Sequence, residues 1–467
     1  MAISSLCMDF LAPRPVRMGA SQHTSELADQ QTSECGLKKS SALVAGAALR
    51  GCRGVGLALC LHMGGVALAQ PTMSPVLLNL IRQTVELHPS VRMESAFVRA
   101  AKEDVSAADW QRYPTLAAQT SSNTPRLSTQ LSLEQPLWTG GRLDAQRDMA
   151  RAQEALQVAQ KKEVQYQLAT KVVDSWVAMV QADERIKETG RTIDQLERYK
   201  AMMRRRVDAQ VSPQIEFTLL EWRTFQARVD LQQTRTARML SRNRLRQLVG
   251  HEPESDTAWD AEQPLAALAA TASETRHALG RQIDDAIDVH PSVRKARERA
   301  RVVQYQADVQ RAGLGPEVYL RAQYRAGGAA VPGERSVFVG VRYQPGAGLS
   351  SLATSRAASE RAQGQLFAAE TAQRELNEQM RTDLENMASA QMRADALATA
   401  VASSTDVLVS NERLFIAGKR SWQEVLNTVR EGGDNRLALV DARAALLAAY
   451  YRLQVVRGDL DWQQSAP

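Results

Sequence analysis

Cysteine is missing from most of this sequence, because all four cysteines lie before residue 70. Aromatic residues make up only 5% of the chain, and no stretch after residue 69 is apolar enough to form a membrane-spanning helix. For residues 70–467 these absences exclude a disulfide scaffold and a helical membrane protein, so any membrane crossing there must use strands. A chain that is 44% hydrophobic with few aromatics suits long helices packed on one another better than a compact globular body.

Sequence motifs for catalysis and nucleic-acid binding are also missing. The four histidines after residue 69 have no partners at metal-ligand or catalytic spacing, and GxSxG, Walker and HExxH patterns do not occur. Acidic and basic residues are interspersed, so the formal net charge of +6 is not gathered into a basic patch. We therefore expect no enzyme activity, no metal, no cofactor and no nucleic-acid partner.

The cysteine-containing segment has the features of a Sec export signal. Residues 54–69 form an apolar run that follows basic residues and ends in Ala67-Leu68-Ala69, the small-x-small pattern of a signal peptidase site. The run is shorter than the ~20 residues of a transmembrane helix, which disfavours a membrane anchor. We predict cleavage after Ala69 and removal of residues 1–69.

Two details of this leader leave alternatives open. Residues 1–36 are polar and mixed in charge, which is unusual for a signal peptide, so translation could instead begin near Leu37. Cys60 is the candidate for lipidation, but the bulky Leu59 precedes it where a lipoprotein site has a small residue. This disfavours a lipid anchor.

The remaining chain is a duplication. The motif HPSVR occurs at residues 88–92 and again at 290–294, and the Gln-Pro pair at 135–136 recurs at 344–345. His88 and His290 each precede a proline that suits the first turn of a helix, which favours a helix-start role over metal binding. The fold class we predict is mainly α with a small β part, built from a duplicated helix–strand–strand–helix unit.

The predicted segments follow from this repeat. They are a signal peptide, 1–69; a first repeat, 70–250, with strands about 114–137 and helices about 142–209 and 214–249; a connecting segment, 251–280; a second repeat, 281–462, with strands about 316–344 and helices about 349–417 and 419–457; and a tail, 463–467.

The strand predictions rest on alternation of apolar and polar residues. Residues 127–134, 318–325 and 337–343 alternate with period two, and the runs approach the ~9–11 residues of a tilted transmembrane strand. Residues 114–123 hold more Ser and Thr than apolar residues, and their pattern alone does not predict a strand.

The helical runs are too long for a compact domain. Residues 142–209 contain no proline and one glycine, so an unbroken helix there would be ~100 Å long. Four strands cannot close a barrel in lipid, because open edges would leave backbone groups unpaired. Three chains together would supply twelve strands around an aqueous lumen, with the helices projecting as a tube.

Three stretches carry a resemblance to a known family. EQPLWTGGR and YQPGAGLSS at the strand-to-helix joints, and FIAGKRSWQEVLN at the second helical turn, resemble the TolC family of outer-membrane channels over about residues 75–462. The resemblance implies a homotrimer in which a 12-strand outer-membrane β-barrel, in contact with lipid, continues into a long periplasmic α-helical barrel. It also implies a periplasmic adaptor and an inner-membrane pump as partners.

The cargo class has alternatives. YQPGAGLSS and EVLNTVRE are most similar to the branch that serves type I secretion of large adhesins and RTX-like proteins with an ABC exporter. Multidrug efflux, with small-molecule cargo and a proton-driven pump, is the alternative channel function. A periplasmic coiled-coil scaffold is the remote structural alternative.

The resemblance further implies site residues at the helical hairpin tips. The pore constriction and its latch map to Glu216, Arg420, Glu424 and Asn427, and the adaptor-contacting tips map to Gln210, Val211, Ser212, Gly418 and Lys419. Two positions depart from the family, since Asn427 is neutral where an acid is common and Gln210 stands where glycine is frequent.

Simpler roles exist for the charged residues at the tips. Glu216 and Glu424 could be ordinary first-turn acids that favour the helix dipole, and Arg204-Arg205-Arg206 could be a solvated helix end rather than an adaptor contact.

The strand-to-helix joints are the last predicted sites. Proline should end strand pairing and glycine should permit the bend into the helix, a role given to Pro136, Gly140, Gly141, Pro345, Gly346 and Gly348.

Overall fold

The computed structural model describes residues 73–123, 126–252, 280, 286–326, 333–344 and 346–458. Several predictions fall outside these residues: cleavage after Ala69, removal of residues 1–69, lipidation of Cys60, the joint role of Pro345, most of the connecting segment and the tail 463–467. No helix in the described parts of the chain has the length and hydropathy needed to cross a membrane.

Long helices dominate the molecule and a small sheet joins them. The elements in chain order are α1 (Pro75–Leu87), α2 (Pro89–Trp110), β1 (Thr115–Asn123), β2 (Arg126–Trp138), α3 (Arg142–Asp208), α4 (Gln214–Val249), α5 (Pro291–Ala312), β3 (Glu317–Ala326), β4 (Glu334–Arg342), α6 (Ser350–Ile416) and α7 (Trp422–Arg457). A short 3₁₀ turn, Ala347–Leu349, leads into α6. Both α3 and α6 have 67 residues, so each is ~100 Å long.

The two His-Pro motifs start equivalent helices. His88 caps α2 and His290 caps α5, and in each case the ring Nδ1 accepts a hydrogen bond from the backbone N–H two residues later, at 3.2 Å and 3.3 Å. The following proline lies at the start of the helix, where its missing N–H costs no hydrogen bond. These histidines therefore act as helix caps.

The sheet is antiparallel, with strand order β1-β2-β3-β4. The central pair joins the two repeats, and Leu133 of β2 lies opposite Ala322 of β3. β1 and β4 are the edge strands.

One strand in the predicted range 114–137 does not follow from its own residue pattern, and one expectation about the joint was wrong. Residues Thr115–Asn123 form a strand although they lack apolar alternation, because they pair residue by residue with β2, from Thr115 opposite Glu134 to Asn123 opposite Arg126. Pro136 does not end pairing: it lies within β2 opposite Tyr319, and the register shifts between Pro136 and Trp138. A bulge at this point accommodates the missing proline N–H.

Two buried clusters hold the helices together. The larger one joins α1, α3, α4, α6 and α7 and includes Trp176, Tyr450 and Tyr451, and the smaller one lies at the hairpin tips. Leu168 and Val172 of α3, four residues apart and so on one face of the helix, are both buried, and Val172 belongs to the larger cluster. Both clusters lie along helices that project from the sheet, so the core is elongated.

Candidate functional site

The two hairpin tips have the same backbone turn. In the first tip Gln210 has a left-handed φ of 58°, and the N–H of Val211 and the N–H of Ser212 donate to the Arg206 carbonyl at 2.8 Å and 3.3 Å. In the second tip Gly418 has φ 70°, and the Lys419 N–H donates to the Leu414 carbonyl at 2.8 Å. Gln210 thus takes the conformation that glycine takes in the second tip.

A complete capping box starts α7. The Ser421 hydroxyl accepts from the Glu424 N–H at 3.3 Å, and Glu424 Oε2 accepts from the Ser421 N–H at 2.9 Å. Arg420 Nη1 donates to Glu424 Oε1 at 2.8 Å, and both side chains are about half exposed. The hydrogen bond from the Ser421 backbone, followed by that from Arg420, lowers the pKa of Glu424 below its usual value.

The first tip is built differently. Pro213 caps α4 without a side-chain hydrogen bond, and Glu216 lies in the first turn, where its N–H donates to the Pro213 carbonyl at 3.2 Å. Among the described residues Glu216 has no ion-pair partner, and Asn427 is exposed three residues after Glu424. The structure therefore pairs Arg420 with Glu424 and leaves Glu216 and Asn427 apart from that pair within one chain.

An aromatic cluster fixes the second tip, and the sequence reasoning missed it. Trp422, the first residue of α7, is 1% exposed; it packs edge-on against Tyr199 of α3, with 5.5 Å between ring centroids, and at a tilt against Phe415 of α6, with 5.1 Å. Because Trp422 follows the capping residue directly, it anchors the start of α7 beside Arg420 and Glu424. The available signal in the sequence was a large aromatic residue, Trp422, directly after the capping serine.

The arginine triplet at the end of α3 contacts its own tip. The guanidinium of Arg206 lies 4.8 Å from the Phe415 ring centroid, and its Nε donates to the Ser212 hydroxyl at 3.2 Å. Arg204 lies 5.3 Å from the Phe217 ring centroid. Two of the three arginines therefore stabilise the tips through cation–π contacts rather than being simply solvated.

The joints between sheet and helix rely on glycine conformations. Gly140 and Gly141 have φ of 61° and 84°, and a Cβ on Gly140 would lie 3.3 Å from the Ala312 carbonyl oxygen at the end of α5. In the second joint Gly346 and Gly348 have φ of 79° and 59°. Glycine is favoured at these bends because it adopts positive φ with little strain, although Leu349 in the second joint also has φ of 61°.

A chain of ion pairs lies at the helical end of the sheet, and sequence reasoning missed it too. We call it the ion-pair belt; its members are Glu134, Arg142, Glu317, Arg321 and Arg342. Arg321 of β3 and Arg342 of β4 both bond Glu134 of β2, the latter at 3.1 Å, and Arg342 also lies 3.7 Å from Glu317. Arg142, the first residue of α3, donates to Glu317 at 2.6 Å.

The described residues hold no group of three or more His, Cys, Asp or Glu side chains that could bind a metal ion.

The comparisons with known proteins agree with this architecture. Residues 80–251 match the family model described as outer membrane efflux protein. The chain carries an outer membrane efflux protein domain. No curated protein matches the chain significantly.

Solved structures share the fold of this chain. A membrane protein from Pseudomonas aeruginosa has 18% identity and a TM-score of 0.69, with 82% of this chain and 90% of that chain covered. VceC from Vibrio cholerae has 16% identity and a TM-score of 0.65, covering 81% and 95%. The open state of the Neisseria gonorrhoeae MtrE channel has 17% identity and a TM-score of 0.65, covering 82% and 89%.

Family and fold together fix the setting of the molecule. The identities are all too low to carry more than fold, and the folds are those of TolC-like channels. The match over residues 80–251 and the shared fold agree with an outer-membrane setting in which the long helices are a periplasmic extension. Both findings agree with the family and location expected from the joint and tip motifs.

Proposed function

We propose that three copies of this chain form the outer-membrane exit duct of an envelope-spanning export system. The observation that carries the proposal is the sheet, which has two edge strands and one apolar face open to its surroundings. On β4 the side chains of Val337, Val339 and Val341 are 70%, 62% and 67% exposed. Such a face suits lipid, and the edge strands need partners from other chains because lipid offers no hydrogen bonds.

The number of chains follows from the strand count. Four strands from each of three chains would make twelve, which is wider than the roughly eight strands whose interior is filled by side chains. Alternation along the strands then sets the apolar face against lipid and the opposite polar face, with Gln130, Ser132 and Gln323, against an aqueous lumen. The long α3 and α6 helices of three chains would continue this lumen through the periplasm.

The hairpin tips would form the periplasmic mouth. Three copies of Glu424 around a threefold axis would concentrate negative charge, with Arg420 as the latch and Asn427 and Glu216 nearby. The exposed turn residues would contact the adaptor: Gln210, Val211, Ser212, Gly418 and Lys419. The capping box supports a rigid placement of Glu424, because its carboxylate is held by Ser421 and Arg420.

Charge and helix capping at this mouth can be separated by mutation. We expect Arg420→Ala and Glu424→Gln to make the closed duct leakier in single-channel recordings. Ser421→Ala disrupts the cap while keeping the charges, and Lys419→Ala removes a neighbouring charge that is not bonded to Glu424. Leakage that is equal in all four variants, or unchanged in Arg420→Ala and Glu424→Gln, would contradict the proposed latch.

The proposed partners are a periplasmic adaptor and an inner-membrane pump. The type of pump depends on whether the cargo is a small molecule or a large protein. The family description of efflux favours small-molecule cargo, whereas the resemblance of YQPGAGLSS and EVLNTVRE favours type I secretion of an adhesin or RTX-like protein with an ABC exporter. Deletion of the gene separates the two. Loss of one large exported protein with unchanged drug susceptibility supports secretion, and the reverse result supports efflux.

The channel itself is tested by fractionation and recording. We expect the protein to be extracted from the outer membrane only by detergent, as a trimer that conducts in planar bilayers. Release by salt or alkaline washing, without conductance, would instead support a periplasmic scaffold.

A further inference from the structure

The ion-pair belt places an uneven charge on one face of the sheet. Its members alternate in sign along the series Arg321, Glu134, Arg342, Glu317, Arg142, so an arginine stands at each end. Each carboxylate is shared by two guanidinium groups, and the belt carries three cations against two anions. Farther along the same face Arg325 lies opposite Glu334 and the two charges cancel. The described strand side chains of this face therefore sum to zero charge, and Arg142 at the start of α3 gives the belt its one surplus positive charge per chain.

Tyr319 organises the centre of the belt. The guanidinium carbon of Arg321 lies 5.0 Å from its ring centroid and that of Arg342 lies 4.8 Å away. The ring occupies the space above Gly340, the residue opposite Tyr319 on β4, where any Cβ would collide with it. Gly340 therefore lets the ring lie across the sheet, and the ring holds the two arginines beside Glu134.

The face that carries the belt is the polar one. Glu134 and Arg321 are directly opposite each other, two residues along from the pair Ser132 and Gln323. The apolar pair Leu133 and Ala322 points to the other side, as alternation requires. All five belt side chains are partly exposed, so water in a lumen on this side would reach them.

We infer that the ion-pair belt is a charge-selective ring of the duct, which favours anions over cations where the strands meet the helices. The inference rests on the proposed channel. Three chains would place a surplus of three positive charges around one level of the lumen. Because one unit charge acting across ~10 Å of water changes the local concentration of a monovalent ion about twofold, each belt charge should be measurable in the permeability ratio.

Reversal potentials in a potassium chloride gradient test the inference. Because the charge acts oppositely on chloride and potassium and is changed in each of three chains, we expect Arg321→Gln to lower the chloride-to-potassium permeability ratio at least about fourfold and Glu134→Gln to raise it at least about fourfold. Both shifts should shrink in concentrated salt because of screening. Arg335→Gln is the matched control, since Arg335 pairs opposite Tyr324 on the apolar face and near the far end of β4; its ratio should equal that of the unmodified protein.

Arg321→Lys separates charge from structure, because lysine keeps the charge and loses the two-pronged bond to Glu134. It should keep the ratio of the unmodified protein. Shifts in the same direction for Arg321→Gln and Glu134→Gln, or a shift in Arg321→Lys or Arg335→Gln as large as that in Arg321→Gln, would overturn the selective ring. Normal conductance with unchanged ratios in every variant would overturn the ring alone, whereas absence of conductance in the unmodified protein would overturn the channel proposal.

Discussion

Acid should loosen the start of α5 through His290. The ring caps the helix only when Nδ1 is unprotonated, since Nδ1 accepts the Ser292 N–H at 3.3 Å. The same ring packs edge-on against Tyr166 of α3, with 5.1 Å between centroids. Burial of the imidazole lowers the pKa of His290 from 6.5 to about 4. The folded protein therefore resists protonation that the unfolded chain accepts.

The sign and size of the effect follow from this difference. Because the folded pKa lies below the unfolded one, the stabilisation is fully present above pH 6.5 and is lost as the pH falls towards about 4. The full difference corresponds to about 3 kcal/mol, of which about 1.4 kcal/mol should be lost by pH 5.5. Nearly all of this loss is confined to the interval between the two pKa values.

Replacement of His290 by asparagine isolates the effect. Asparagine is a good helix cap that does not titrate, so His290→Asn should keep the cap and lose most of the pH dependence between 6.5 and 4. Unfolding would be followed in detergent by circular dichroism at several pH values, with the exposed His251→Asn as the control. Equal loss of stability in the unmodified protein and in His290→Asn, or an NMR titration of His290 near 6.5, would refute the reasoning.

Further predictions concern packing at the tip, between helices and on the sheet. Trp422→Ala should destabilise the tip by about 3–5 kcal/mol and speed protease cleavage between α6 and α7. Gly433→Leu should lower the melting temperature, because a Cβ there would lie 3.4 Å from Thr192, whereas Gly364→Leu, with nothing within 4 Å of its Cβ position, should not. Gly340→Val should reduce trimer yield through collision with Tyr319, and adding Tyr319→Ala should restore it; failure of the second change to restore it would place the defect elsewhere.

The helices could be predicted well because they depend on local sequence. A lack of proline and glycine over nearly seventy residues leaves few alternatives to a helix, and α3 and α6 are continuous as expected. Adjacent glycines weaken a helix, yet α7 runs unbroken through Gly432 and Gly433. The two glycines let neighbouring helices pack closely against α7, because a Cβ on either glycine would come within 3.5 Å of a side chain on another helix.

The sheet and the belt depended on information that the sequence does not display. β1 lies within the predicted strand range 114–137 but its own pattern did not indicate a strand, because pairing with β2, rather than apolar alternation, determines its conformation. Glu134 and Arg321 are separated by 187 residues, and only the register of β2 against β3 brings them together. The capping box, by contrast, is a local pattern in which Ser421 and Glu424 are three residues apart.

The most direct test of the three-chain duct uses the lack of cysteine after residue 69. Gln323→Cys would place one thiol per chain on the polar face of β3, and Ala322→Cys would place one on the apolar face. A charged thiol-reactive reagent added during single-channel recording should reduce the current of Gln323→Cys in three successive steps and leave Ala322→Cys unchanged. An unchanged current in Gln323→Cys despite complete labelling, or a number of steps other than three, would contradict a lumen formed by three copies of this chain.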